Sequence, residues 1–520
     1  MENKVNLYFS HDCGYRLGMV HEMLSRGIID FCLTDYDPGS TNSPPPIDSR
    51  IVTTEISMGV NLTYDKVCNI YELPMPSKEL LEAMRPYESM AIKMGSRRTN
   101  YQIALYEEEK RNYLLHVRYW NYMLDKYNIN FCFFENTPHT QHIYIIYALA
   151  QVKRIPTIVM LAAVAIPGIY VYGDRIGNAG DNVADYYLRM LKENRSTNIE
   201  LSGVVKDYYE KHTQKLDKLK NEINPGVSKE SKTLQKKFIE MYYSSCVGFK
   251  VSKLKTNMLI IRERLRKLLD HSNRSLHDER LSSFYLKKKR IDYIKLYKSY
   301  ELMDLDEYDS IAELPDYNQK YIYFGIQRTP EETTIPKAGV FSEQYNSIQL
   351  LARVAQQKNI YVYVKEHFLQ PWRERYFFED LKKIPNVRLI KTTVSTYDMI
   401  YNSLAVSTQT GSCILEGALM GKPSLVIGDG YAWKSMPGLF EIFDEESGNK
   451  ALDKILDNYK IDSEKLKLYF YAIEKSSYLQ TYGLRPGEHV QDKLEKNADY
   501  REMEKLYEII DRGIKKSRKL

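Results

Sequence analysis

Residues 363–368, "YVKEHF", are a run of strand formers that turns charged at Lys365-Glu366-His367. A cation and an imidazole at the carboxyl end of a strand could both donate hydrogen bonds to phosphate oxygens. Forty residues on, "LAVSTQTGSCILEGALMGKPSLVIGD" reads as a buried strand ending at Thr408, a turn, and a short helix opened by Ser412 and ended by Gly421. Such a helix start offers unpaired N–H groups and the positive end of a dipole. Gly411 lets the backbone approach a ligand closely, and Thr410 and Ser412 add hydroxyls. Glu416, just over one turn in, is placed to accept from ribose hydroxyls. Ahead of both, after a strand at 320–327, "QRTPEETTIPKAGVFSEQ" (327–344) is a shaped loop in which Glu331, Thr333, Thr334 and Gln344 are candidate sugar or nucleotide contacts.

The amino-terminal part carries a different chemistry. "FFENTPHTQH" (133–142) follows a strand with Glu135, His139 and His142, and "SHDCG" (10–14) does the same with His11 and Asp12. A carboxylate or histidine there could act as general base on an acceptor hydroxyl, which makes Glu135, Asp12 and His139 the catalytic candidates. No family spacing supports a metal site. The two D-x-D tripeptides, at Asp35 and Asp304, are too short to carry weight. No Walker loop and no G-x-G-x-x-G follows a strand, which argues against NTPases and classical dehydrogenases.

These groups need strands to hold them, and the alternation supplies them. Strands are expected at 4–10, 29–34, 50–56, 129–135 and 155–161, with helices at 15–27, 78–128 and 140–153. Residues 320–327, 359–367, 386–390, 404–408 and 423–429 repeat the pattern. Between the two halves, glycine almost vanishes and helical spacing persists. The expected architecture is α/β with two Rossmann-like domains facing one cleft, 1–180 and 319–450, joined by a basic helical connector, 181–318, and followed by carboxyl-terminal helices, 451–520. Ligands in such sheets lie beyond the carboxyl ends of the strands.

At 520 residues the chain is too long for one core, and 43% hydrophobic residues are ample for folding. Six scattered cysteines without a C-x-x-C pair fit a reducing cytoplasm. The start "MENKVNLYFSHDCG" lacks a signal-peptide pattern, and the uncharged run 155–173 is broken by prolines and glycines into two strands rather than a membrane span. Between Lys236 and Arg290 stand fifteen Lys/Arg against five Asp/Glu, a local charge of +10 on a chain of net +6. That face suits an acidic partner such as membrane headgroups. Without a nucleic-acid motif, a nucleic-acid partner is not expected.

The order P-E-E-T-T-x-P-x-x-G-x-F-S-E-Q, V-K-E-H, I-P-N-V-R-L-I, S-T-Q-T-G-S-C-I-L-E-G resembles the bacterial capsule polysaccharide biosynthesis proteins. These are GT-B glycosyltransferases related to the Kdo transferases of capsule and lipopolysaccharide. The match covers 320–450 and, through "NTPH", some of the amino-terminal half. K-E-H is similar to the family's K-E-H-P, with Phe368 in place of proline, and T-G-S…E-G to its T-G-T…E-A. The resemblance implies transfer of a sugar from a nucleotide donor, with no cofactor and no metal, to a glycan or lipid-linked glycan. The donor's phosphate would lie on Lys365, His367 and the 410–412 turn. A CMP-activated ulosonic acid is favoured over a UDP- or GDP-sugar. The rivals are a nucleotide-sugar epimerase of the same architecture and a non-catalytic assembly protein.

Overall fold

The computed structural model describes residues 4–10, 16–36, 48–55, 68–95, 106–193, 199–221, 302–368, 370, 373–479 and 500–518, with positions 62 and 64 and without 164, 167, 304 and 330. Asp12, the Asp35 and Asp304 side chains and the basic 236–290 segment lie outside them.

In chain order the elements are β1 Asn6–Ser10, α1 Arg16–Ser25, β2 Phe31–Tyr36, β3 Ile51–Glu55, α2 Lys78–Gly95, α3 Tyr106–Lys126, β4 Phe131–Phe134, α4 Gln141–Val152, β5 Thr157–Ala162, β6 Ile169–Gly173, α5 Asp181–Lys192 and α6 Gly203–Asn221. There follow β7 Leu302–Met303, α7 Leu305–Ile311, β8 Tyr321–Gly325, α8 Gln344–Gln356, β9 Tyr361–Lys365, β10 Arg373–Glu374, α9 Arg375–Lys382, β11 Val387–Ile390 and α10 Thr396–Asn402. The last are β12 Ala405–Thr408, α11 Cys413–Leu419, β13 Ser424–Val426, β14 Leu439–Glu441, α12 Glu445–Leu456, α13 Ser463–Ser476, β15 Tyr478–Leu479 and α14 Tyr500–Ser517.

The fold is α/β, with mainly parallel strands and helical crossovers. The chain divides into one unit of residues 1–218, 327–347 and 405–520, and another of 219–326 and 348–404. The first holds a seven-stranded sheet in the order β15-β6-β5-β4-β1-β2-β3. Its central strands pair in parallel, with Leu7 opposite Cys32 on one side and Phe131 on the other. They are apolar on both faces because helices cover both faces, so "NLYFS" and "FCFF" show runs of buried residues rather than alternation. From β1 the chain steps outward through β2 and β3, then returns to β1's other side at β4. This 3-2-1-4-5 order is that of a Rossmann half, and it opens a crevice at the carboxyl ends of β1 and β4.

The uncharged 155–173 run becomes β5 and β6, which pair antiparallel, so the sheet is parallel only up to β5. The same unit carries β12, β13 and β14, parallel in that order. The other unit carries β11, β9 and β8, also parallel in that order. The helix expected over 78–128 is two, α2 and α3. Gly95 ends the first, and a Cβ there would run into the Glu109 carboxylate, with Gln141 Nε2 at 3.0 Å. A larger residue there would have to displace that carboxylate. No helix among the described residues is long and apolar enough to cross a membrane.

Candidate functional site

The crevice at β1 and β4 is where the amino-terminal candidates fall. Glu135 is the first residue after β4, and its N–H donates to Ser10 O at the end of β1 (3.4 Å). The backbone that carries the carboxylate is thereby anchored where the strand order reverses. The chain then dips through buried Thr137 and Pro138 to half-buried His139, whose Nδ1 lies 2.8 Å from Thr137 O. A carbonyl can only accept, so in that contact Nδ1 carries a proton.

His142 is no surface group. It is 2% exposed, its Nε2 lacks a hydrogen-bond partner among the described residues, and its ring sits 6.3 Å from that of His116. Burial, then the charge of His139, depresses its pKa to about 4. A neutral structural imidazole is the result.

Two charged residues that sequence inspection passed over join this group. Lys337 is 3% exposed and ion-paired with Glu332. Burial pushes the Glu332 pKa up, but Lys337, His139 and Thr137 more than offset it, and the net shift is downward. The loop 327–347 thus places a buried carboxylate within electrostatic reach of His139. In the sequence, "EETTIPK" signals only a polar turn.

That loop also locks the turn after β12. Gln344 Nε2 donates to Gln327 O (2.7 Å) and Gln344 Oε1 accepts from Gln327 N–H (2.7 Å). Gln327 in turn accepts the Thr410 N–H at its Oε1 (3.0 Å), and the Thr410 hydroxyl donates to Thr333 O (2.6 Å). Thr334, fully buried, donates to Arg328 O and Glu331 O. Glu331 Oε2 accepts from the Thr333 hydroxyl (2.9 Å). Thr334, Gln344 and the Thr410 hydroxyl therefore serve to shape the loop.

Gly411 has no room for a side chain: a Cβ would stand 2.8 Å from Thr408 Oγ1. Ser412 occupies the N-cap position of α11 without a side-chain capping bond and is exposed, while Glu416 is half-buried. Gln409, wholly buried, donates to Phe341 O and to Ser347 Oγ (3.3 Å). Of the 410–412 turn, Ser412 is the residue most open to solvent.

Lys365, Glu366 and His367 belong to the other unit. Lys365 is 8% exposed, and its Nζ donates to Val394 O (2.8 Å) and Thr396 Oγ1 (2.7 Å). Two of the ammonium's three donors are committed to these bonds. Glu366 is 3% exposed and accepts from Arg373 at both oxygens, Nε at 2.5 Å and Nη2 at 3.1 Å. It also receives the His367 N–H (2.6 Å). Arg373 lies 4.8 Å from the Phe377 ring centroid, which fixes the guanidinium from its far side. The turn carrying His367 is braced from within, and the half-buried imidazole stacks on Phe368 at 5.0 Å.

Among the described residues no group of three His, Cys, Asp or Glu could hold a metal ion. No protein-family model and no curated protein matches the sequence. Among solved structures, the beta Kdo 2,7 transferase KpsC of Thermosulfurimonas dismutans matches at 19% identity over 31% of this chain and 56% of its own, with a TM-score of 0.20. The UDP-GlcNAc 2-epimerase of Methanocaldococcus jannaschii matches at 10% identity over 91% of this chain and 98% of its own, at 0.27. TarM of S. aureus, solved with UDP and a glycan, matches at 16% identity over 38% of this chain and 37% of its own, at 0.20. This chain therefore spans about half the length of the first of these.

Proposed function

We propose that the chain is a glycosyltransferase of the GT-B type, moving a sugar from a nucleotide donor onto a bacterial surface glycan. The observation that carries the reading is Glu135, anchored on Ser10 at the reversal point of a 3-2-1-4-5 parallel sheet. The motif order K-E-H, then T-G-S…E-G, supports it from the sequence side.

In this reading the acceptor hydroxyl gives its proton to Glu135, with Asp12 and His139 as the other candidates, and attacks the anomeric carbon of the donor. The sugar–oxygen bond breaks and the electron pair leaves on the nucleotide phosphate. His367, the Lys365 charge and the 410–412 turn stabilise that phosphate, and Glu416 and Glu331 contact the nucleotide sugar. No cofactor and no metal is invoked. The donor is a nucleotide sugar, with a CMP-ulosonic acid favoured over UDP- and GDP-sugars. The basic 236–290 segment would hold a cytoplasmic protein against the inner membrane face, near a lipid-linked glycan acceptor.

The test is thermal stabilisation by CMP, UDP, GDP and their sugars, in the unsubstituted protein and His367→Ala. A ligand at about 100 times its Kd adds roughly 2.7 kcal/mol, which is readily seen as a melting shift. A shift with one nucleotide that disappears in His367→Ala supports the reading and names the donor class. Donor turnover with no acceptor present would point to an epimerase, and no shift with any nucleotide to an assembly protein.

A further inference from the structure

A cavity of about 350 Å³ lies away from the residues above, between α5, the end of α13 and α14, against β6. Its volume is at the small end of the range of about 300–1,000 Å³ usual for ligand sites. Four cations line it: Arg189, Lys475, Lys505 and Arg512. They face two carboxylates, Asp185 and Glu508.

The walls are held by bonds that do not depend on a ligand. Asn182 Oδ1 accepts the Tyr172 N–H (3.1 Å), and its Nδ2 donates to Ser476 O (3.0 Å), tying β6 to the end of α13. Lys505 Nζ donates to Ser477 O, which ties α14 to the same point. The cations are crowded. Burial depresses the Lys505 pKa, Glu508 opposes this, and Arg512 and Lys475 depress it further. Arg512 also acts on the Tyr172 phenol, against the upward push of burial.

The carboxylates available do not neutralise this group. Arg512 bonds Glu508 at 2.7 Å, but both side chains are largely exposed, and an exposed pair of this kind exchanges readily with solvent and ions. Lys475 has Glu474 outside the cavity (2.7 Å), and the Lys475 side chain is 41% exposed. Four cations against Asp185, Glu508 and the adjoining Glu474 leave a surplus of one positive charge, which favours the doubly charged anion of a phosphate monoester over a neutral or cationic ligand. The rings of Tyr172 and Tyr186 give the remaining wall an apolar face, suited to the body of a ring that carries the phosphate.

We infer that this cavity binds a phosphate-bearing small molecule, the phosphate lying among Arg189, Lys475, Lys505 and Arg512 and the organic part against the two tyrosines. The proposal stands apart from the donor site, since none of its residues belongs to that site.

The experiment is calorimetric titration and melting of the full chain with inorganic phosphate and with hexose 1-phosphate, chloride at equal ionic strength being the reference. We expect saturable binding, tighter for the sugar phosphate. Lys475→Gln and Arg512→Gln remove exposed cations without touching the core, and each should weaken binding about tenfold. His367→Ala should leave it unchanged, which separates this site from the nucleotide site. Binding by inorganic phosphate alone would assign the cavity to the free anion. Shifts matched by chloride, or retained in the Lys475→Gln and Arg512→Gln variants, would overturn the proposal.

Discussion

The Glu366–Arg373 pair is almost wholly buried, so each charge is tolerable only because of the other. Arg373→Ala would strand the carboxylate, and we expect a loss of about 3–5 kcal/mol in urea unfolding. The double variant Glu366→Gln/Arg373→Met should recover much of that, because two neutral groups replace an orphaned charge. His142 makes a prediction of the opposite kind. Its imidazole titrates at about 4 in the fold against 6.5 ordinarily. Above pH 6.5 it is neutral in both states and adds no pH dependence. Between 6.5 and about 4 only the unfolded chain takes up the proton, so stability falls with pH, by about 3 kcal/mol over the interval. His142→Phe should flatten that part of the stability-versus-pH curve. An unchanged curve would show that another group carries it.

Turns and loops decide whether these side chains sit where chemistry needs them. Gln327 is the joint between the 327–347 loop and the turn after β12. Gln327→Leu removes the acceptor for Thr410 N–H, and we expect it to abolish the nucleotide-induced melting shift at a stability cost of about 1–3 kcal/mol. Gly339, with φ +59°, has no space for a Cβ because the Asp429 carboxylate fills it. Gly339→Ala should therefore lower stability by more than about 1 kcal/mol. Neither joint was legible in the sequence, since a glutamine after a strand gives no sign of a partner some eighty residues away. The strands themselves were legible: β1, β4, β8 and β9 are apolar runs because both faces are covered. The short β7, β10, β14 and β15 escaped notice, being two or three residues long and too short to show a period. At Glu366 the sequence shows the charge and hides its partner, because Arg373 stands seven residues further along the chain.

At the scale of the molecule, one unit is assembled from three stretches of chain, so its two ends are part of one core. Leu506, Tyr507, Ile509, Ile510 and Ile514 of α14 are buried with Leu7, Phe9, Phe131 and Ile158 of the amino-terminal sheet. Their spacing puts them on one helical stripe, while Arg512–Glu508 and Lys515–Asp511 pairs occupy the wet side. Each large side chain is worth about 1.5–3 kcal/mol when buried, against a total stability of about 5–15 kcal/mol for a typical domain. Deleting residues 500–520 should therefore leave the sheet without its cover, and we expect an insoluble chain or one without a cooperative melt. A milder variant isolates packing from length. Gly513 has Ile158 Cδ1 at 2.5 Å and Phe131 Cζ at 3.1 Å from where a Cβ would stand. Gly513→Leu would lift α14 off the sheet and cost about 1–3 kcal/mol, while Lys515→Ala on the wet face should stay within about 0.5 kcal/mol. Equal melting points for the two variants would mean that α14 does not seal this core. The phosphate cavity would then lose one of its walls as a fixed structure, because Lys505 and Arg512 both stand on α14.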